Sequence, residues 1–209
     1  MANFCELVNY DFVEGRSVGK HNLVIKFLRG TRRLNPPRQH LIPSWDLAVV
    51  LQALQQDLFV PLQSVDLNAL SIKTALLTAL ILVKRVGDLQ ALSVNGSCLE
   101  SGPADSHVDL RPRPGYVPKV PTTPFKDQVV TLQAVPSQED DPNLSLLCPV
   151  RALCMYLEHT QPFRRSEQLF VCFGGQQKGN AISKQRISHW LVDPIHMAYQ
   201  ARGLPCPLG

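Results

Sequence analysis

The sequence predicts an α+β protein that is predominantly helical and contains one small antiparallel sheet. Helical periodicity of the apolar residues occupies both ends of the 209-residue chain, whereas between Val94 and Val135 the period shortens toward two, as in strands. The longest apolar run, 75–83, is flanked by Lys73 and Lys84 and is too short to span a bilayer. With 44% hydrophobic residues, the chain is expected to bury one sizeable core.

A helix and a proline-bearing connector are predicted near the amino terminus. Ser17 is a suitable N-cap for a helix that would extend to about Arg32. Pro36-Pro37 would stop this helix, because proline lacks the amide donor and disfavours a helical residue before it. The polar connector ends at Pro43. The sequence therefore predicts the remnant of a helical domain with a basic linker over 1–43, and a second domain over 44–209.

Two helices are predicted at the start of the second domain. Ser44 would cap a short helix from Trp45 to Leu54. Asp66 precedes a long, almost entirely apolar helix that runs to Lys84-Arg85, where a second apolar run begins at once.

The later elements are predicted from the periodicity of apolar residues and from the Pro, Ser and Gly residues at their ends. Two segments, 108–110 and 128–132, are expected to pair in the small sheet, and 169–171 reads as a short buried strand. Pro149 suits the first position of a helix through His159. Ser183 would cap a last helix, and Gly203 would end it.

Positive charge is concentrated in one segment of the chain. Residues 15–45 contain no Asp or Glu, and the rest of the chain carries 14 basic against 17 acidic residues. Such a block favours a polyanionic partner, nucleic acid before a membrane surface, because the segment lacks a broad apolar face. The alternative is a solvated helix face, which normally carries interspersed carboxylates. The basic residues are Arg16, Lys20, Lys26, Arg29, Arg32, Arg33 and Arg38.

Arg85 is predicted to be a buried charge at the joint of two helices. Such a charge is costly unless an anion or a carboxylate meets it. A guanidinium held in this way is suited to a phosphate. The alternative is that Asp88, one turn further on, pairs with Arg85 at an ordinary helix boundary.

The cysteines and the amino terminus favour an intracellular protein. No Cys-x-x-Cys pair occurs, and Cys148 and Cys154 have no His at metal-ligand spacing, so neither a zinc site nor a disulfide framework is expected. Glu6, Asn9 and Asp11 interrupt any apolar leader after Met1.

Several motifs together resemble one enzyme family. Arg85-Val86-Gly87-Asp88-Leu89, after a long apolar helix and before a three-strand region, resembles the first motif of the tyrosine recombinases of the phage-integrase type, in which Glu or Asp follows an Arg by three residues. The retrotransposon-encoded branch, the DIRS and Ngaro elements, is also similar at 30–33, 45–47, 148–153, 166–171 and 183–190. The likeness covers most of the chain.

The resemblance implies a fold and a chemistry. The fold would be a tyrosine-recombinase catalytic core, incomplete at both ends. The family's Tyr hydroxyl attacks a phosphodiester and forms a 3′-phosphotyrosyl link, with neither metal nor other cofactor. Two Arg with a His or Lys stabilise the charge on the phosphate oxygens, and a Lys on a β-turn protonates the leaving oxygen.

Site residues follow from the motif positions. The resemblance makes Arg85 the first Arg, Asp88 its supporting carboxylate and Lys119 the turn Lys; Lys126 is the alternative, and Lys119 could equally be an exposed loop residue. No metal ligand is implied. Contacts to the DNA backbone are expected from the basic segment and from the start of the last helix: Lys26, Arg29, Arg32, Arg33, Lys184 and Arg186.

The later motifs of the family have no counterpart. None of His159, His189 and His196 is followed three residues later by an Arg, so the second Arg and the His are missing. Tyr199 lies before the expected position of the nucleophile and reads as an ordinary amphipathic helix residue. A truncated copy that does not cleave DNA alone is therefore expected.

Three hypotheses about function remain open. The first is a recombinase or integrase domain of a transposable element that binds double-stranded DNA but is catalytically incomplete; it would be nuclear, and would form a homo-oligomer on DNA if a longer chain exists. The second is a transposon-derived remnant that serves as a non-enzymatic protein-interaction scaffold. The third is a fragment without a stable fold, because missing helices would leave apolar surface uncovered.

Overall fold

The computed structural model describes residues 12–13, 16–17, 25–27, 29–30, 45–118, 129–136 and 142–207. The chain divides into two compact units, Met1–Pro43 and Ser44–Gly209.

The first unit contains a short hairpin where a helix start was predicted. Strand β1 (Phe12–Val13) pairs antiparallel with β2 (Arg16–Ser17), with Phe12 opposite Ser17 and Val13 opposite Arg16. Residues 25–27 and 29–30 are helical. The prediction of Ser17 as an N-cap is therefore wrong, because its backbone belongs to a ladder. Two residues that end in glycine, Glu14-Gly15, separate the two strands in the sequence. Such a short connection favours a β-hairpin and could have predicted this one.

Five helices and a three-stranded sheet make up the described part of the second unit, which confirms the α+β prediction. The helices are α1 (Leu47–Ala53), α2 (Leu67–Leu82), α3 (Val86–Ala91), α4 (Pro149–Thr160) and α5 (Lys184–Ala201). The strands are β3 (Leu99–Ser101), β4 (His107–Leu110) and β5 (Val130–Gln133). Short 3₁₀ helices occur at Pro103–Asp105, Pro142–Leu147, Gln161–Phe163 and Gly175–Gln177.

Side-chain caps fix where three of the helices begin. The Asp66 carboxylate accepts from the Asn68 amide at 3.0 Å, and the Ser183 hydroxyl accepts from the Arg186 amide at 3.2 Å, as both positions predicted. Helix α1 is capped by Asp46, whose carboxylate accepts from the Ala48 amide at 2.8 Å. The prediction that Ser44 caps a helix beginning at Trp45 is therefore wrong, because the helix begins two residues later with Asp46 as its N-cap.

Helix α2 lies at the centre of the second unit. Its residues from Ala69 to Thr78 are all buried, and it packs against α4 and α5. A helix that is apolar on all sides can only be stable inside a core, so its sequence determines its central position.

The small sheet packs one face on this core. The strand order is β3-β4-β5, all antiparallel, with Val108 opposite Leu132 and Leu110 opposite Val130. Val108, Leu110 and Leu132 are almost completely buried, whereas Thr131 is exposed. The alternation predicted from the sequence is therefore present, and the strand ends differ from the predicted ones by one or two residues.

Residues 169–171 do not form the predicted strand. They are buried, but only isolated bridges flank them, between Gln168 and Ser93 and between Val171 and Ala181. An apolar tripeptide can be buried without a continuous ladder, and periodicity cannot distinguish the two cases.

Helix α5 contains Pro194 and ends as predicted. Gly203 has φ of 63° and follows the last helical turn, where a residue without Cβ is favoured. Tyr199 is buried, and its hydroxyl accepts from the Asp46 amide at 2.7 Å, which ties α5 to the start of α1. This contact is the structural role predicted for Tyr199. None of the described helices combines the length and the apolar character that crossing a bilayer requires.

Candidate phosphate-binding site

The turn between α2 and α3 presents two basic side chains to solvent. Val83, at the end of α2, adopts the left-handed conformation (φ 48°, ψ 37°) and is 86% exposed. Lys84 and Arg85 follow, and both are exposed. The prediction that Arg85 is buried is therefore wrong: the reversal of the backbone at Val83 turns the charged pair out of the core before α3 begins.

Arg85 is nevertheless held in place by its backbone. It is the N-cap of α3, and its amide donates to Asp88 Oδ2 at 3.3 Å. The guanidinium itself has no acceptor atoms, so it cannot complete a reciprocal capping box. Within the part of the chain that the structure describes, Arg85 and Asp88 form no ion pair; the ion pair found there joins Arg111 to Glu100. The pairing of Asp88 with Arg85 that the sequence left open is thus not present.

Tyr116 occupies the other oxygen of Asp88. Its hydroxyl donates to Asp88 Oδ1 at 2.6 Å, a short charge-assisted hydrogen bond. Burial first, and then this hydrogen bond and the carboxylate charge, raise the pKa of Tyr116 to about 12, while the positive charges of Arg113 and Arg85 act in the opposite direction.

The loop that carries Tyr116 is fastened to α3. The Arg113 amide donates to the Ala91 carbonyl at 2.7 Å, and the Tyr116 amide donates to the Arg113 carbonyl at 3.2 Å. These bonds fix the distance between the loop and the carboxylate of Asp88.

Lys184 reaches the same place from the start of α5. A Cβ atom added to Gly87 would lie 3.7 Å from Lys184 Nζ and 3.7 Å from Tyr116 Oη, so both side chains pack against Gly87. The Gln90 side chain donates to the Ile182 carbonyl at 3.0 Å, which joins α3 to the residues before α5. The structure thus brings Lys184 to Gly87, two residues after Arg85, an association that the sequence did not predict.

We define the basic cluster as Arg85, Arg113 and Lys184. Arg85 is the N-cap of α3, Arg113 lies in the loop that carries Tyr116, and Lys184 packs against Gly87, while both oxygens of Asp88 already accept hydrogen bonds. Arg113 and Lys184 are exposed, as is Arg85. The cluster therefore has a surplus of positive charge at the surface and can bind an oxyanion through charge-assisted hydrogen bonds.

Of the remaining predicted contacts, Arg186 is the one described in the second unit. Arg186 is exposed and lines a separate cleft of about 620 Å³ with Phe173, His189 and Trp190. Lys26 and Arg29 are exposed residues of the first unit. Lys119, its alternative Lys126, Arg32 and Arg33 lie outside the described residues.

Sequence reasoning missed the roles of Tyr116 and Arg113. Both lie in a loop more than twenty residues after Asp88, and no helical or strand spacing connects them. Only the pairing of β3 with β4 and the return of the chain along α3 bring the loop to Asp88.

The described residues offer no cluster of three or more His, Cys, Asp or Glu side chains that could hold a metal ion. Cys98, Cys148, Cys154, Cys172 and Cys206 are free thiols. Burial raises the pKa of the Cys154 thiol, which makes a reactive thiolate unfavourable there.

No protein-family model, curated protein or solved structure matches this chain.

Proposed function

We propose that the chain is a DNA-binding domain of tyrosine-recombinase type that contacts the phosphate backbone of duplex DNA through the basic cluster. The observation that carries this proposal is the exposed guanidinium of Arg85, which has no carboxylate paired to it in the described structure. Arg113, in the Tyr116 loop, and Lys184, which packs against Gly87, are also exposed. An unpaired surface cation is available to a phosphate without first losing a partner.

The sequence supports the same ligand. Arg85 and Asp88 stand where the resemblance places the first Arg of the family and its acidic companion. The basic segment 15–45 adds seven positive charges without a carboxylate. Such contacts position a protein on DNA without reading its sequence.

DNA cleavage is not part of the proposal. The second Arg, the His and the nucleophilic Tyr of the family have no counterpart in these 209 residues. The proposed activity is binding in the context of recombination or integration by a transposable element, which requires access to chromosomal DNA and hence a nuclear location.

Titration of the 209-residue chain into a fluorescently labelled DNA duplex at two salt concentrations tests the proposal. We expect a Kd on the order of 10⁻⁴–10⁻⁶ M near physiological salt, with strongly tighter binding at lower salt because counterions are released. The absence of binding at low salt, or an affinity indifferent to salt, would refute it.

A further inference from the structure

The carboxylate of Asp88 lies one helical turn from the guanidinium that it could neutralise. Arg85 is the N-cap of α3 and Asp88 lies in its first turn, so the two side chains are neighbours and an ion pair between them would be favourable. Here the two side chains form no ion pair, although both are described and Arg85 is exposed. Some contact must therefore hold Asp88 in another orientation.

Tyr116 supplies that contact. Its hydroxyl donates to Asp88 Oδ1 at 2.6 Å, while the Arg85 backbone amide donates to Oδ2 at 3.3 Å. The carboxylate is thus bound on both sides by groups other than the guanidinium. Because the Tyr116 loop is tied to the end of α3 through Arg113 and Ala91, the hydroxyl cannot follow the carboxylate toward Arg85 without breaking those bonds.

We propose that Tyr116 is a positioning residue that holds Asp88 away from the Arg85 guanidinium and so keeps that guanidinium free for a phosphodiester oxygen. A carboxylate paired with Arg85 would compete with the phosphate for the same donors. The inference rests on the proposed function for its ligand, but its structural premise concerns the free protein alone.

Lys184 fits the same arrangement. Its amine and the Tyr116 hydroxyl each approach Gly87 in the first turn of α3, so a further cation is held near the residues that bind Asp88. Removal of the hydroxyl frees Asp88 Oδ1, and Arg85, the N-cap of the same helix, is then available as its partner.

A double-mutant cycle with Tyr116→Phe and Asp88→Asn tests the inference by duplex affinity. We expect Tyr116→Phe to weaken binding about two- to fivefold, the effect of one new surface ion pair. In the Asp88→Asn background the same change should have no effect, because no carboxylate remains to be released. Tyr199→Phe is the matched control, since its hydroxyl bonds to Asp46, away from the cluster, and it should leave affinity unchanged.

The Arg85 Nε–H resonance in the free protein provides a readout that does not need DNA. We expect Tyr116→Phe to shift this resonance downfield, as carboxylate pairing does, and Asp88→Asn to abolish the shift. An unchanged resonance in Tyr116→Phe would overturn the inference, and so would an equal loss of DNA affinity in both backgrounds. If the wild type fails to bind DNA while the resonance shifts, the proposed function fails and the positioning role of Tyr116 stands.

Discussion

Lys73 Nζ donates a hydrogen bond to the Leu54 carbonyl at 2.8 Å inside the hydrophobic core, and a second to the Phe59 carbonyl at 3.2 Å. The side chain is 0% exposed. Leu54 is the C-cap of α1, so the ammonium group joins α2 to the negative end of α1. Burial, and secondarily the positive charge of Arg151, lower the pKa of Lys73 from 10.5 to about 8.

This shift predicts that stability rises with pH through an alkaline window. Between about pH 8 and pH 10.5 the unfolded chain binds the Lys73 proton and the folded chain does not, so the free energy of unfolding increases with pH there. The full effect is about 3 kcal/mol. Urea unfolding of the wild type and of Lys73→Met from pH 7 to pH 10.5 measures it, because the other titrating groups are common to both. Parallel pH profiles for the two proteins would contradict the prediction.

Tyr156→Phe should destabilise the second unit by about 1–3 kcal/mol, because it leaves a buried amide without a partner. The Val171 amide donates to the Tyr156 hydroxyl at 2.9 Å, and both residues are completely buried. Tyr199→Phe is the matched control: its amide partner belongs to Asp46, which is exposed and can bond to water instead. Chemical denaturation should show a smaller loss for Tyr199→Phe; equal losses would refute the argument from burial.

Val83→Gly should stabilise the protein by about 1 kcal/mol. A β-branched residue is strained in the left-handed conformation that Val83 adopts, and its exposed side chain loses no packing on removal. Ile81→Gly, two residues earlier within α2 and also exposed, should instead destabilise by about 1 kcal/mol. Thermal unfolding distinguishes the two, and destabilisation by both would contradict the strain at Val83.

The local signals in the sequence determined most of the fold. Two helices begin after Asp66 and Ser183 because these side chains accept hydrogen bonds from backbone amides of the first turn. A third begins at Pro149, whose missing amide would have no partner at that position. Residues 169–171 were misassigned because a short apolar run predicts burial, whereas the structure buries them with only isolated bridges and no ladder.

The site was less predictable, because it is formed by residues that are distant in the sequence. Arg85 and Asp88 form a motif that can be read from the sequence. The exposure of Arg85, however, depends on the left-handed backbone conformation of Val83, which a β-branched residue disfavours. The convergence of Tyr116 and Lys184 on Gly87 depends on tertiary packing alone.

The basic segment should contribute to DNA affinity through charge alone. Replacement of Arg29, Arg32 and Arg33 by Ala should weaken duplex binding and reduce the slope of log K against log salt concentration by about three. Replacement of the same three residues by Lys should preserve the slope. A scaffold that contacts only proteins would show the same residual DNA binding in all three proteins, and that result would favour the non-enzymatic alternative.

The measurement that tests the phosphate site most directly is the duplex affinity of Arg85→Gln, compared with Arg165→Gln as an equal loss of charge from another exposed arginine. We predict that Arg85→Gln weakens binding about tenfold, as expected for one charge-assisted hydrogen bond, and lowers the salt slope by about one, whereas Arg165→Gln changes neither. Equal affinities and slopes for Arg85→Gln and the wild type would contradict a phosphate site at Arg85.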